Sequence, residues 1–113
     1  MLLPLVGPVV SGTVQGFITW KQGEAHKYYE YDSDIVYRAA MRASTEDMNM
    51  VVMNDKSKND DYHFTANNFK ISIEQIDKNI SKLSVRINFM GDKDYAELFY
   101  QKVDEQIPVI DFK

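Results

Sequence analysis

The chain has 113 residues, 13 basic and 17 acidic side chains, a formal charge of −4 and no cysteine. That length is a single-domain length, and at this size about two-thirds of the unfolded surface is buried on folding, enough for a real core. The acidic balance argues against a general nucleic-acid binder. Zero cysteine removes disulfides, thiolate chemistry and Cys-based zinc sites, and 44% hydrophobic residues are too many for a disordered segment.

The chain opens on an apolar run, Met1-Leu2-Leu3-Pro4-Leu5-Val6-Gly7-Pro8-Val9-Val10, without a positive n-region. It is far short of the ~20 residues that span a bilayer, and it matches the length of a truncated secretory h-region, a flexible tail or an added strand. Residues 1–22 therefore read as an apolar, flexible N-terminal segment and 23–113 as one domain. Within the segment, Phe17-Ile18-Thr19-Trp20 is a short apolar patch that should dock on the fold or on a partner.

From Glu24 to Tyr31 the chain is rich in aromatics and lacks a breaker, which predicts a strand. Asp32-Ser33-Asp34 offers N-cap residues for a helix from about Ile35 to Met48. At 100° per residue, Val36, Tyr37, Ala40, Met41, Ala43, Ser44 and Met48 share its apolar face, and Asn49 ends it. Met50-Val51-Val52-Met53 reads as a short strand and Asn54 to Asp61 as a polar loop. Tyr62, Phe64 and Ala66 alternate with polar residues, Asn67-Asn68 turns the chain, and Phe69, Ile71 and Ile73 alternate again. Beyond Asp77-Lys78-Asn79, the residues Leu83, Val85, Ile87 and Phe89 alternate with Lys82, Ser84, Arg86 and Asn88, so that one sheet face is dry and the other wet. Gly91-Asp92 ends that strand and caps a second helix, whose apolar arc runs through Tyr95, Leu98, Phe99, Val103 and Ile107. Pro108 stops this helix, and Val109 to Phe112 form a tail that packs back or stays loose.

The order β-α-β-β-β-β-α is that of an α+β domain. Each helix has one apolar stripe and the sheet has one apolar face, so both helices pack on one side of an antiparallel four- to five-stranded sheet. The other face stays wet or meets a partner.

Few residues carry chemistry. His26 and His63 lie on different strands, with Asp60 and Asp61 near His63, but no spacing marks a metal site and surface strand histidines are the expected reading. There is no phosphate-binding glycine loop and no nucleophile elbow, so neither catalytic, metal nor cofactor residues are assigned and the chain reads as a non-enzyme. Lys70, Lys82, Arg86 and Glu74 line the wet face as cross-strand pairs. Tyr28, Tyr29 and Tyr31 crowd one strand, so at least one points away from the core. Tyrosine at a sheet rim is common, yet tyrosine is also enriched at interfaces.

The Gly23-Glu24 strand start, the helix from Ile35, Phe69-Lys70-Ile71-Ser72-Ile73 and the stretch Ser84 to Asp92 followed by an amphipathic helix resemble a family of small bacterial envelope lipoproteins of unknown function. The resemblance runs from about Gly12 to Ile107. It implies an exported or lipid-anchored protein of the envelope or periplasm. Leu5-Val6-Gly7 looks like the first three positions of a lipobox, but Pro8 stands where the Cys would be, so membrane association is expected only indirectly. The resemblance implies no catalytic residues. Together with the absence of catalytic motifs and the apolar segments at both ends, it favours a domain acting through protein–protein contacts or self-association, and the wet sheet face with Tyr28 and Arg86, plus the Trp20 segment, is the expected partner-binding surface. The alternative is a small apolar-ligand pocket between helices and sheet, lined by Tyr37, Met41, Phe64, Phe89 and Phe99.

Overall fold

The computed structural model describes residues 17–87 and 93–111. The elements run β1 (Thr19–Lys21), β2 (Glu24–Tyr29), α1 (Ser33–Arg42), β3 (Val52–Lys58), β4 (Asp61–Ala66), β5 (Phe69–Asp77), β6 (Ile80–Arg86) and α2 (Lys93–Asp111). The fold is α+β, and among the described residues the antiparallel sheet has six strands rather than four or five, in the order β1-β2-β6-β5-β4-β3. Two pieces enlarge it. Thr19–Lys21 pairs with Glu24–His26 as an outer strand. The polar stretch after Met53 also pairs, so Asn54–Lys58 is strand and not loop. An edge strand has water on one side, so polar residues cost it little, and charge along an edge blunts pairing with other chains.

Two-residue turns close the hairpins, and each contains a residue with positive φ: Gln22 (54°) with Gly23 (79°), Asn59 (57°), Asn67 (53°) and Asn79 (59°). Asparagine tolerates this left-handed backbone better than other side chains with a Cβ. Asn54 (φ 56°) sits where the β3–β4 register shifts between Met53 and Lys56. That bulge turns Asp55 toward the helices, where both its carboxylate oxygens accept from the Tyr37 hydroxyl at 2.8 and 2.9 Å.

The inner face of the sheet carries Ala25, Lys27 and Tyr29 from β2, Leu83 and Val85 from β6, Ile71 and Ile73 from β5 and Phe64 from β4, all buried. Helix α1 crosses β4–β6 and packs against α2. It contributes Val36, Ala39 and Ala40, whose small volumes let the helices approach the sheet closely. Its last turn widens into a π turn, Ala43–Asp47, and Asn49 (φ 53°) ends it in the left-handed conformation expected from sequence. Asp32 stands at the N-cap, but its side chain reaches across to Gln75 Nε2 (2.9 Å) and the Asn79 amide (2.8 Å), tying the helix start to the β5–β6 turn.

Helix α2 buries Ala96, Phe99, Tyr100, Val103, Ile107 and Ile110. Its Tyr100 hydroxyl lies 2.7 Å from the Leu83 carbonyl and 2.9 Å from that of Ala25, seating the helix over β2 and β6. Pro108 does not stop this helix, which continues to Asp111. Proline removes a single hydrogen bond near the end of the helix, and burial of Ile107 and Ile110 on either side offsets that loss. The expected cap at Gly91-Asp92 and the apolar position Phe89 lie outside the described residues.

Candidate functional site

Side chains alternate along each strand, and cross-strand partners share a face. Because Ala25, Lys27 and Tyr29 point inward, Glu24, His26 and Tyr28 point outward. The register then arranges the open face in ranks. The first runs Glu24, Arg86, Lys70, Thr65 and Met53, the second His26, Ser84, Ser72, His63 and Lys56, and the third Tyr28, Lys82, Glu74 and Asp61. No helix among the described residues covers this face.

The ranks place the expected residues as follows. Tyr28 and Arg86 share the open face, four positions apart along the β2–β6 ladder, about 13 Å. Tyr28 is 49% exposed, whereas Tyr29 next to it is fully buried. Trp20 stands apart from them. It pairs with inward-facing Ala25, packs against the core from the helix side and holds the Lys93 ammonium 4.9 Å from its ring centroid. Trp20 therefore does not extend the surface that carries Tyr28 and Arg86. His26 and His63 occupy one rank but are separated by β6 and β5, about 14 Å at the usual strand spacing, so they do not share a metal ion. Among the described residues, no group of three or more His, Asp or Glu side chains is arranged to hold one.

Two polar chains emerge that spacing along the sequence hides. On the open face, Glu24 Oε1 lies 3.0 Å from His26 Nε2, and His26 Nδ1 lies 3.0 Å from Ser84 Oγ. With its proton on Nε2 toward Glu24, the ring accepts the Ser84 hydroxyl proton on Nδ1. The order carboxylate, imidazole, hydroxyl is that of an activated nucleophile. Acyl transfer also needs free N–H donors aimed at the developing oxyanion. Here Ser81 to Arg86 pair with β2 on one side and β5 on the other, so the ladder consumes the backbone donors around Ser84. Ser84 itself is only 5% exposed. The chain fixes the orientations of His26 and Glu24, and Glu24 Oε2 in turn lies 3.4 Å from Arg86.

The second chain is on the covered face. Lys27, 5% exposed, reaches Asp104 Oδ2 at 2.7 Å, and the buried Tyr29 hydroxyl donates to Asp104 Oδ1 at 2.8 Å. Burial, with the Asp104 charge adding to it, pushes the Tyr29 phenol well above its ordinary range. The Asp104 carboxylate thus closes the seam between α2 and β2.

Two clefts border these features. One, about 290 Å³, lies on the open face, and its walls include Lys56, His63, Lys70, Ser72 and Arg86. The other, about 350 Å³, lies between the helices, against Tyr37, Met41, Val109 and Ile110, with Arg38 and Arg42 at its rim. Of the expected ligand-pocket residues that are described, Tyr37 and Met41 reach it. Phe64 and Phe99 are 3% and 0% exposed and fill the core instead.

No curated protein matches the chain. A family model described as "Protein of unknown function (DUF3568)" matches residues 5–106, a span that takes in β1 to β6 and most of α2. The chain thus belongs to the DUF3568 family of proteins of unknown function.

Proposed function

We propose that this is a non-enzymatic domain of the cell envelope that works through protein contacts made by the open face of its sheet. The observation that carries the reading is the asymmetry of the sheet. One face is sealed by two helices, and the other presents ranks of long polar side chains with Tyr28 half-exposed among them. Tyrosine contributes contact area at an interface with little loss of side-chain freedom. The envelope part of the proposal rests on the resemblance to envelope lipoproteins and on the lipobox-like Leu5-Val6-Gly7.

Position-resolved cross-linking tests it. A photoreactive residue is placed at Tyr28, at His63 or, on the outer side of α2, at Glu97, and the chain is expressed in a bacterial host that carries a family member. Adducts from the first two positions, recovered with envelope fractions, are the expected result. Adducts only from Glu97, or recovery only from cytosol, overturn it.

A second reading has its own observation. The cleft between α1 and the end of α2 is of ligand size and walled by apolar side chains. In this reading it takes a small apolar ligand. Loss of binding of a fluorescent fatty acyl probe on Met41→Trp, with the fold intact, supports it, and no binding by the parent chain removes it.

A further inference from the structure

The charge of the molecule is unevenly placed. The chain carries −4 overall, yet the open face holds Lys21, Lys56, Lys58, Lys70, Lys82 and Arg86 against Glu24, Asp61 and Glu74. Six of the 13 basic side chains are here, with three of the 17 acidic ones. The carboxylates are already engaged. Glu24 meets Arg86 and His26, Glu74 lies 3.3 Å from Lys82, and Asp61 Oδ1 accepts from the Gln75 amide at 3.1 Å. Lys56 and Lys70 have no carboxylate within 4.0 Å among the described residues, and both border the 290 Å³ cleft with Arg86 and His63.

We propose that this face binds an acidic protein segment, with Lys56, Lys70 and Arg86 as its central contacts. The proposal rests on the reading of the open face as a contact surface and names the chemistry of the partner. Two features favour a carboxylate-rich segment over a single small anion or a phosphate polymer. From Lys56 on β3 to Arg86 on β6 the cations cross three strand spacings, about 14 Å, which matches a row of charges rather than one ion. Tyr28 and Met53, 49% and 60% exposed, flank the charges and offer apolar contact that a polypeptide can use. Charges are screened over about 8 Å at physiological salt, so an approaching segment meets the cationic face before it senses the acidic remainder.

The test titrates the full ¹⁵N-labelled chain with short poly-L-glutamate. Expected are amide shifts centred on Lys56, His63, Lys70 and Arg86, and binding at least about tenfold weaker in K56E/K70E and at raised salt. A retained spectrum for the residues of α1 and α2 shows that the variant is folded. Absence of shifts, shifts centred on the helices, or undiminished binding by K56E/K70E overturns the proposal. So does inorganic phosphate that displaces poly-L-glutamate at equal charge, stronger binding to anionic lipid vesicles, or salt-sensitive self-association that K56E/K70E abolishes. If Tyr28 cross-links persist in K56E/K70E, the contact reading stands and the acidic partner falls; if they never form, the contact reading itself falls.

Discussion

Leu83 and Ser84 are neighbours on β6, yet they belong to different environments. Leu83 is fully buried under α2, while Ser84 faces the open side between His26 and Ser72. On the covered face the polar groups are few and each is committed to a specific contact. Lys27 and Tyr29 hold Asp104, and Tyr100 holds two strand carbonyls. On the open face polar groups are the rule, and most are solvated. The same backbone ladder thus carries a surface fixed by packing and another whose side chains are available for other purposes.

Substitutions can break this contrast. Leu83→Ala should cost about 3 kcal/mol, seen as a lower urea midpoint, because a cavity opens beneath α2. Asp104→Asn comes next, at about 2–3 kcal/mol, since it leaves the Lys27 ammonium without a counter-charge at the seam. The triple variant K27M/Y29F/D104L, which also removes the phenol that would otherwise lose its acceptor, should recover most of that loss, and failure to do so would mean that the pair is more than a satisfied charge.

Alkali should act on the covered side as well. Burial raises the phenols of Tyr29 and Tyr100, and burial with the Asp55 hydrogen bond pushes Tyr37 up to about 12. The unfolded chain releases these protons near pH 10, whereas the folded chain keeps them. The stabilising contribution is therefore complete below pH 10 and is lost as pH rises through the folded values. Urea midpoints at pH 8, 10 and 11.5 should fall in that order, with a shallower fall in Tyr37→Phe. On the open face, Ser84→Ala should cost about 1 kcal/mol, one hydrogen bond to His26. Lys70→Glu should change stability by less than about 0.5 kcal/mol. A large loss from Lys70→Glu would show that this face is held by its charges after all.

Much of the architecture is legible from residue order. Period-two alternation locates β4, β5 and β6 and assigns Lys70, Lys82 and Arg86 to the wet side, and the stripe through Val36, Ala40 and Ala43 orients α1. The polar string from Asn54 to Lys58 misleads because an edge strand does not need an apolar face. Pro108 misleads because a rule for helix interiors weakens in a last turn anchored by Ile110. The site is less legible, since its ranks depend on strand order. Nothing in the spacing of His26 and Ser84, 58 residues apart, places one beside the other. That neighbourhood follows from α1 carrying the chain from β2 to the far edge of the sheet, so that β6 returns to close against β2.

This return has a kinetic consequence. β3, β4, β5 and β6 form successive hairpins with two-residue turns, each of which can zip locally on the microsecond scale. β2 is made early but pairs with a strand that emerges some sixty residues later, and ordering a loop of that length must precede the gain from pairing. The meander should therefore gather first, with one flank of β6 unpaired, and the docking of β1 and β2 should set the folding rate. Mutations at the β2–β6 seam would then slow folding, while those at the β3–β4 turn would mainly speed unfolding.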